Sequence, residues 1–414
     1  MTIAATVGAP PAFAAMPPTV RTVLPLSIVT ATSMLSMDLF LPAVPTLQAS
    51  LGIDVTLAQA TVAVFLAGLA ASQLIWGEAM TRLGPRRCVL IGVALLVLSA
   101  FGCALAPDIG WLLAMRALQG AAAGAATVVA PSVVRATLSD EHAVKGIASI
   151  AMIESAVPAA GPLLGSALLL VMDWRATFWI LGVVTLLALP FVVRVTPREL
   201  PGLDRSAASG YARILGNRKY LRLALCHALC FGALLSFVAS APQLMVHAFG
   251  LGAGSFAALQ LMSVLCFMAV ASQSGRISRR FGAARAVQFG CAAHVALCGG
   301  FVLLAWLGQP GFASVAVFWC AFCAVLAVRG PAAFSEALAL PPVQMGRASA
   351  MLMLAILAAG AIGTQGVAPF MSGPSALPLA TAMLLLCIAS FAMVLPYPHG
   401  GAVVPQCPAS QCPP

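Results

Sequence analysis

The sequence predicts an all-α membrane protein: twelve transmembrane helices in two pseudo-symmetric six-helix bundles, with both termini in the cytoplasm. Three observations carry this: the scarcity of charge, the spacing of the apolar runs and the uneven placement of basic residues. Of 414 residues, 61% are hydrophobic and only 8% are charged. A soluble domain carries roughly 25% charged residues, so a globular protein of this composition would lack polar side chains to cover its surface. A helix needs about 20 apolar residues to cross the hydrocarbon, and the chain is long enough for a dozen with short connections.

Apolar runs bounded by charge, Pro or Gly fall at 22–44, 57–79, 88–107, 111–133, 146–170 and 174–195, then at 221–245, 255–275, 286–307, 312–334, 347–369 and 377–396. These are spans 1 to 12. The predicted organisation is a flexible cytoplasmic N-terminal tail (1–21), an N-terminal six-helix bundle (22–195), a cytoplasmic linker (196–220), a C-terminal six-helix bundle (221–396) and a flexible tail (397–414). An Ala-Phe-Ala-Ala stretch at 12–15 looks like a signal-peptidase site, but no basic or apolar segment precedes it, so it is read as part of the tail.

The net charge of +10 is explained by where the cations sit rather than by a nucleic-acid partner. With the N-terminus inside, the cytoplasmic segments collect Arg21; Arg82, Arg86 and Arg87; Arg135 and Lys145; Arg194, Arg198, Arg205, Arg213, Arg218, Lys219 and Arg222; Arg276, Arg279, Arg280 and Arg285; and Arg347. These are 18 of the 21 Lys and Arg, the asymmetry that marks cytoplasmic loops. A repeat relates the halves: Gly77, Arg82, Gly84 and Arg87 after span 2 recur as Gly275, Arg280, Gly282 and Arg285 after span 8, each 198 residues later. Such internal repeats are common in transporters. Most of the twelve cysteines, such as Cys103, Cys226, Cys266 and Cys387, lie inside apolar runs and read as small hydrophobes. Cys407 and Cys412, in the Pro-rich tail, match no zinc or disulfide spacing. No metal site and no cofactor is expected.

Ionisable groups at membrane depth are costly and point to function. Asp38 lies in the outer half of span 1, in Ser36-Met37-Asp38-Leu39-Phe40-Leu41-Pro42, and Arg116 enters span 4 from the outer side. The two come to similar depth and are expected within pairing reach. A carboxylate beside a guanidinium has its protonation set by two opposed terms, burial and the neighbouring cation, which suits a proton-coupling group. The plainer alternatives are a fixed ion pair, or an Asp that caps a helix break before Pro42. Glu154 shares a face of span 5 with Pro158, Gly161 and Gly165, so it points into the protein and is a second protonation candidate, or an attractor of cationic substrates. Arg329 lies deep in span 10 and Glu336 near that span's inner end. His227, His294, Gln73, Gln260 and Gln365 also lie in spans, where a lone polar side chain more often bonds a neighbouring helix than a ligand. Gly120, Gly124 and Gly363 permit close backbone approach, and Pro131, Pro158, Pro162 and Pro331 permit bends.

Together these residues resemble the major facilitator superfamily over residues 22–396, and within it the drug:proton antiporters of the Bcr/CflA type, which include phenicol exporters. Asp38-Leu39-Phe40-Leu41-Pro42-Ala43-Val44-Pro45 is similar to the group's span 1 signature, Asp-x-Tyr-Leu-Pro-Ala-x-Pro. Leu112, Arg116, Gln119 and Gly120 resemble the span 4 motif, whose Arg is implicated in proton coupling. Gly161, Pro162 and Gly165 resemble the core of the span 5 antiporter motif, and Trp174-Arg175 followed by Phe178-Trp179 the usual start of span 6. Departures are informative. Thr81 stands where the loop 2–3 motif has Asp, and Pro85 replaces one of its basic residues; Glu78, one turn earlier, is a candidate substitute. Val157 and Ser166 stand where the fuller span 5 pattern has Gly, and Glu154 has no expected counterpart.

The resemblance implies proton-coupled efflux of a small amphipathic compound, an antibiotic or drug, across the bacterial inner membrane by alternating access. The alternatives are export of an endogenous metabolite such as a siderophore and proton-coupled nutrient uptake. Proton coupling falls to Asp38, Arg116 and Glu154; Asp38, Gln119, Glu154, His227, Gln260, Arg329 and Gln365 are cavity candidates. Gating falls to Gly77, Glu78, Arg82, Gly84, Arg86, Arg87, Gly161, Pro162, Gly165, Gly275, Arg280 and Gly282. An enzyme would need a nucleophile–base pair or metal ligands at membrane depth, and no such pattern stands in the sequence. The expected partners are a small-molecule substrate, protons and membrane lipid, with the monomer as the working unit.

Overall fold

A computed structural model describes residues 18–198, 210–308 and 310–395. The sequence-based readings of the two tails before residue 18 and after 395, and of most of the linker at 199–209, lie outside these residues, as do Cys407 and Cys412.

Among the described residues, eleven helices are long and apolar enough to cross a bilayer, and a shorter apolar helix of 16 residues takes the twelfth place. They are α1 (Pro18–Asp38), α2 (Val55–Leu83), α3 (Pro85–Ala104), α4 (Ile109–Thr137), α5 (Asp140–Leu168) and α6 (Arg175–Val195), then α7 (Arg218–Phe249), α8 (Ala253–Phe281), α9 (Ala283–Leu307), α10 (Phe312–Ala337), α11 (Pro342–Val367) and α12 (Leu377–Ala392). Helix α1 starts at Pro18, four residues inside the segment predicted as tail. Helices close all of their backbone hydrogen bonds internally, which is what a span in hydrocarbon requires.

The helix ends follow local chemistry. The Asp54, Asp108 and Asn217 side chains cap α2, α4 and α7 by accepting from the amides of Leu57 (2.7 Å), Trp111 (2.8 Å) and Tyr220 (3.1 Å). At the cytoplasmic turns, Gly84 between α2 and α3 (φ 79°) and Gly282 between α8 and α9 (φ 85°) hold matching left-handed conformations, so the sequence repeat is also a repeat of backbone.

Within the N-terminal half, α4 packs on α2 and α3, α6 on α3, and α1 on α4, α5 and α6; in the other half α7 packs on α10, α11 and α12, α8 on α10, and α9 on α10 and α12. Helices α2 and α4 cross closely because Gly68 and Gly120 face the other helix's carbonyls, of Ala117 and Phe65. Between halves, α2 meets α11 and α5 meets α8.

The cores fix the state of the molecule. One hydrophobic core holds the outer parts of both halves together, from Phe40, Leu47 and Phe65 to Phe237, Phe256 and Met371. Towards the cytoplasm it divides into two: one around Val29, Trp76 and Val133, the other around Leu223, Ala333 and Leu352. Helix α8 follows the same division. Phe256, Ala257, Leu259, Gln260 and Ser263 are buried, whereas no residue from 264 to 281 is. The halves are therefore closed outside and parted inside, leaving a cleft open to the cytoplasm.

Candidate functional site

Helix α1 breaks where the Asp38 motif begins. Pro42 and Pro45 supply no amide hydrogens, and the chain passes from α1 through a 3-10 turn at Leu41–Ala43 into a short helix at Val44–Leu51. Asp38 is the last residue of α1 and does not cap this turn, which starts with no side-chain cap bond at Phe40. It is half-buried and makes no hydrogen bond or ion pair among the described residues. It ends a stripe of half-buried or exposed positions, Leu24, Ile28, Ala31, Leu35 and Asp38, spaced by four and three residues. The faces of α1 to either side pack on α4, α5 and α6; the stripe is the side turned to the cleft.

The predicted glycine face of α5 lies against this break. A Cβ on Gly161 would meet the Asp38 Cβ at 2.5 Å, and one on Gly165 would collide with the Leu39 carbonyl and lie 3.3 Å from the Pro42 ring. Glu154, two turns nearer the cytoplasm on that face, is half-buried and unpaired among the described residues.

Arg116 does not pair with Asp38. It is fully buried and donates to the backbone carbonyls of Ser36 (2.7 Å) and Thr61 (3.1 Å) and to Gln119 Oε1 (2.7 Å). Its guanidinium lies 4.9, 4.4 and 5.7 Å from the ring centroids of Phe40, Phe65 and Phe178, and its Nη2 has no partner among the described residues. The sequence places the two residues at one depth, but α1's frayed last turn offers Arg116 a carbonyl two residues before Asp38. The rings cover the cation where a carboxylate was expected. Arg116 thus grips the backbone that carries Asp38, at one remove from the carboxylate.

The other cavity candidates lie mostly inside their own half. Gln119 is buried as an acceptor for Arg116; Gln260 is buried and accepts from Trp319 Nε1 at 3.0 Å. His227 is buried against the rings of Phe231 and Phe334. Arg329 is buried among α7, α9 and α12, where its Nη2 lies 2.9 Å from the Cys226 carbonyl, the Cys226 sulfur and Ser390 Oγ. Gln365 is half-buried, with its side-chain oxygen unpartnered among the described residues. His294 joins Cys230 and the Phe322 carbonyl. Glu336 sits 3.6 Å from Lys219. Asp38, Glu154 and Gln365 are thus the predicted cavity residues that the structure leaves accessible.

Among the described residues, two side-chain hydrogen bonds that residue spacing does not predict join the halves. Gln243 Nε2 of α7 donates to Gln48 Oε1 at 3.0 Å, and Ser166 Oγ of α5 donates to the Ala253 carbonyl that opens α8, also at 3.0 Å. Both lie at the outer seam. Ser166 is one of the departures from the glycine-rich span 5 pattern, which was the one available signal.

Comparison with known proteins sets this geometry in context. The profile of the Major Facilitator Superfamily matches residues 26–364. The chain belongs to that superfamily. This major facilitator is a multi-pass protein of the inner membrane, built as helical bundles rather than the closed β-barrels of outer membranes. Multidrug resistance protein MdtL of Escherichia coli O157:H7 (strain EC4115 / EHEC) is 28% identical over 237 residues, 56% of this chain and 60% of that protein. MdtL of Shigella dysenteriae serotype 1 (strain Sd197) gives the same figures. The chain thus spans about three fifths of the length of the curated relatives it matches. Among solved structures, a bacterial homologue of the human lysosomal transporter Spinster superposes with a TM-score of 0.71 at 15% identity, covering 91% of this chain and 95% of the other. A D-xylose–proton symporter gives 0.68 at 15% identity, covering 90% and 97%.

In this superfamily member the loop 2–3 motif is held by a local pair. Arg82 Nε donates to Glu78 Oε1 at 2.9 Å, one turn away, while Thr81 turns its hydroxyl to the Glu78 carbonyl. The pair is exposed and stays within α2. Gly84 lies under the Arg198 carbonyl; Gly275 and Gly282 face nothing within 4 Å among the described residues.

Proposed function

We propose that the protein exports small amphipathic compounds, antibiotics or drugs among them, across the bacterial inner membrane in exchange for protons, by alternating access. Asp38 carries the reading: a carboxylate at membrane depth, free of any fixed partner among the described residues, at the outer end of the cleft-facing stripe. Ionisable groups at such depth mark ion and substrate paths. A group without a fixed partner is free to take a proton and a substrate in turn.

In the cycle we infer, substrate enters the cytoplasmic cleft as Asp38 releases its proton inward. The shared outer core then parts, the two inner cores join, and protonation of Asp38 from outside accompanies release. Arg116 acts on Asp38 through the Ser36 carbonyl, as a positioning residue. Glu154 is the second acidic group on this path. The names of the curated relatives support drug export over uptake.

The test is proton movement in inverted vesicles carrying wild type or Asp38→Asn, challenged in turn with phenicols, bicyclomycin, lipophilic cations and hydroxamate siderophores. A compound that collapses an inside-acid gradient only with wild type establishes antiport and names the cargo class. Undiminished proton-driven transport by Asp38→Asn removes Asp38 from the mechanism.

A further inference from the structure

The C-terminal half is almost without acid. From residue 205 to the end the sequence has one carboxylate side chain, Glu336, and that one faces Lys219. The consequence is sharpest at the cytoplasmic turn between α8 and α9. Arg276, Arg279, Arg280 and Arg285 stand there within ten residues, all exposed. Arg276 bonds Gln273 Oε1 at 2.6 Å and Arg280 lies over the Phe281 ring at 5.5 Å. No carboxylate lies within ion-pair distance of any of the four among the described residues.

The repeat supplies an internal control. In the equivalent turn of the N-terminal half, Glu78 neutralises Arg82, and the Arg198 carbonyl covers Gly84. In the C-terminal turn, Arg276 takes the place of Glu78, Arg279 that of Thr81, and Gly282 has nothing within 4 Å among the described residues. The backbone is the same, but among the described residues neither the acid nor the cover is present. Beside the cations are apolar surfaces turned outward: Phe281 is 51% and Phe289 is 69% exposed. Arg285 and Phe289, four residues apart on α9, share a face, with the cation nearer the helix end and the ring deeper in the bilayer.

We propose that this turn is a binding site for an anionic phospholipid of the cytoplasmic leaflet, its phosphate taken by the four arginines and an acyl chain lying along Phe289. Arginine clusters suit phosphate oxygens because their N–H groups match them in pairs, and basic segments at the cytoplasmic membrane surface attract acidic headgroups. The aromatic ring at hydrocarbon depth makes the occupant a lipid rather than a free phosphate.

The full chain, purified in neutral detergent, is mixed with phosphatidylglycerol or phosphatidylcholine, and retained lipid is counted by native mass spectrometry. Wild type is expected to keep phosphatidylglycerol and not phosphatidylcholine. The variant R276Q/R279Q/R280Q/R285Q should retain it at least about tenfold more weakly, and the matched loop 2–3 variant R82Q/R86Q/R87Q should lose much less. Should the quadruple variant not elute as a single species, R276Q/R279Q and R280Q/R285Q carry the same comparison. Equal retention by the C-terminal variants, or an equal loss in the loop 2–3 variant, overturns the site. Competition by inorganic phosphate at millimolar concentration also overturns it, by assigning the turn to a soluble anion.

Discussion

At Gly161, α5 comes so close to α1 that a Cβ there would stand 2.5 Å from the Asp38 Cβ, 3.1 Å from the Asp38 carbonyl carbon and 3.2 Å from the Leu39 nitrogen. Two of these three contacts are backbone, which cannot swing aside. Any side chain at 161 must push α5 away from the α1 break or move the carboxylate. Overpacking of this kind costs about 1–3 kcal/mol. Gly161→Val is therefore expected to reduce transport at least about tenfold while the protein still inserts and purifies, with Gly161→Ala intermediate. Transport rates normalised to membrane-inserted protein check this; a fully active Gly161→Val would mean that the α1–α5 contact has no part in the cycle.

Arg116 predicts a different pattern, because its bonds go to main chain. Removing it strands the Ser36 carbonyl, which the break in α1 leaves without a helical partner, and Gln119 Oε1 in a buried site. Each unsatisfied group costs about 1–3 kcal/mol. Arg116→Ala should lower the melting temperature of the purified protein by several degrees, and Arg116→Lys by less, since an ammonium still reaches some of these acceptors. Asp38→Asn should leave the melting temperature nearly unchanged, as Asp38 has no bond to lose among the described residues. Equal melting temperatures for wild type and Arg116→Ala would contradict the anchoring role.

The outer seam offers a test of the conformational equilibrium. Loss of the Gln243–Gln48 bond removes about 1 kcal/mol from the outward-closed state, a shift of roughly fivefold in the closed-to-open ratio. With spin labels on the exposed outer positions Leu105 and Trp306, Gln243→Ala should increase the population of long distances. An unchanged distance distribution would mean that the shared apolar core alone sets the closed state.

The sequence shows the spans, their orientation and the six-plus-six repeat because each rests on composition within about 20 residues or on a fixed offset. It also marks Gly161 and Gly165 as a close-contact face of α5, but not that the α1 break at Asp38 is what this face meets. What it misses depends on surfaces far apart in the chain. Gln48 and Gln243 are 195 residues apart and meet only because the outer ends close. The pairing expected for Arg116 fails for a related reason. Depth along two helices can be counted, but the carbonyls freed by the fraying of α1, and the three rings around the cation, become visible only once the helices are packed. His227, Gln260 and Arg329 read as polar groups within spans, and whether such a group faces the cleft or its own bundle turns on rotations of a few tens of degrees, which residue spacing does not give.

Glu154 separates proton coupling from substrate choice. It lies two turns from Asp38's α5 contact, on the same helix face, half-buried and unpaired among the described residues. The arginines at membrane depth, Arg116 and Arg329, are buried inside the bundles, so the carboxylates of Asp38 and Glu154 are the charges left accessible at that depth among the described residues. A lipophilic cation entering from the cytoplasm meets Glu154 before it reaches Asp38, whereas an uncharged phenicol gains nothing from it. Glu154→Gln is therefore expected to raise the apparent KM for cationic substrates by about fivefold, the worth of a partly screened charge contact of about 1 kcal/mol. It should leave phenicol transport within about twofold and preserve proton dependence for both. Parallel transport assays of a cation and a phenicol in one vesicle preparation make the comparison. Equal losses for both substrates would move Glu154 into proton coupling, and no loss for either would leave it a structural carboxylate on α5.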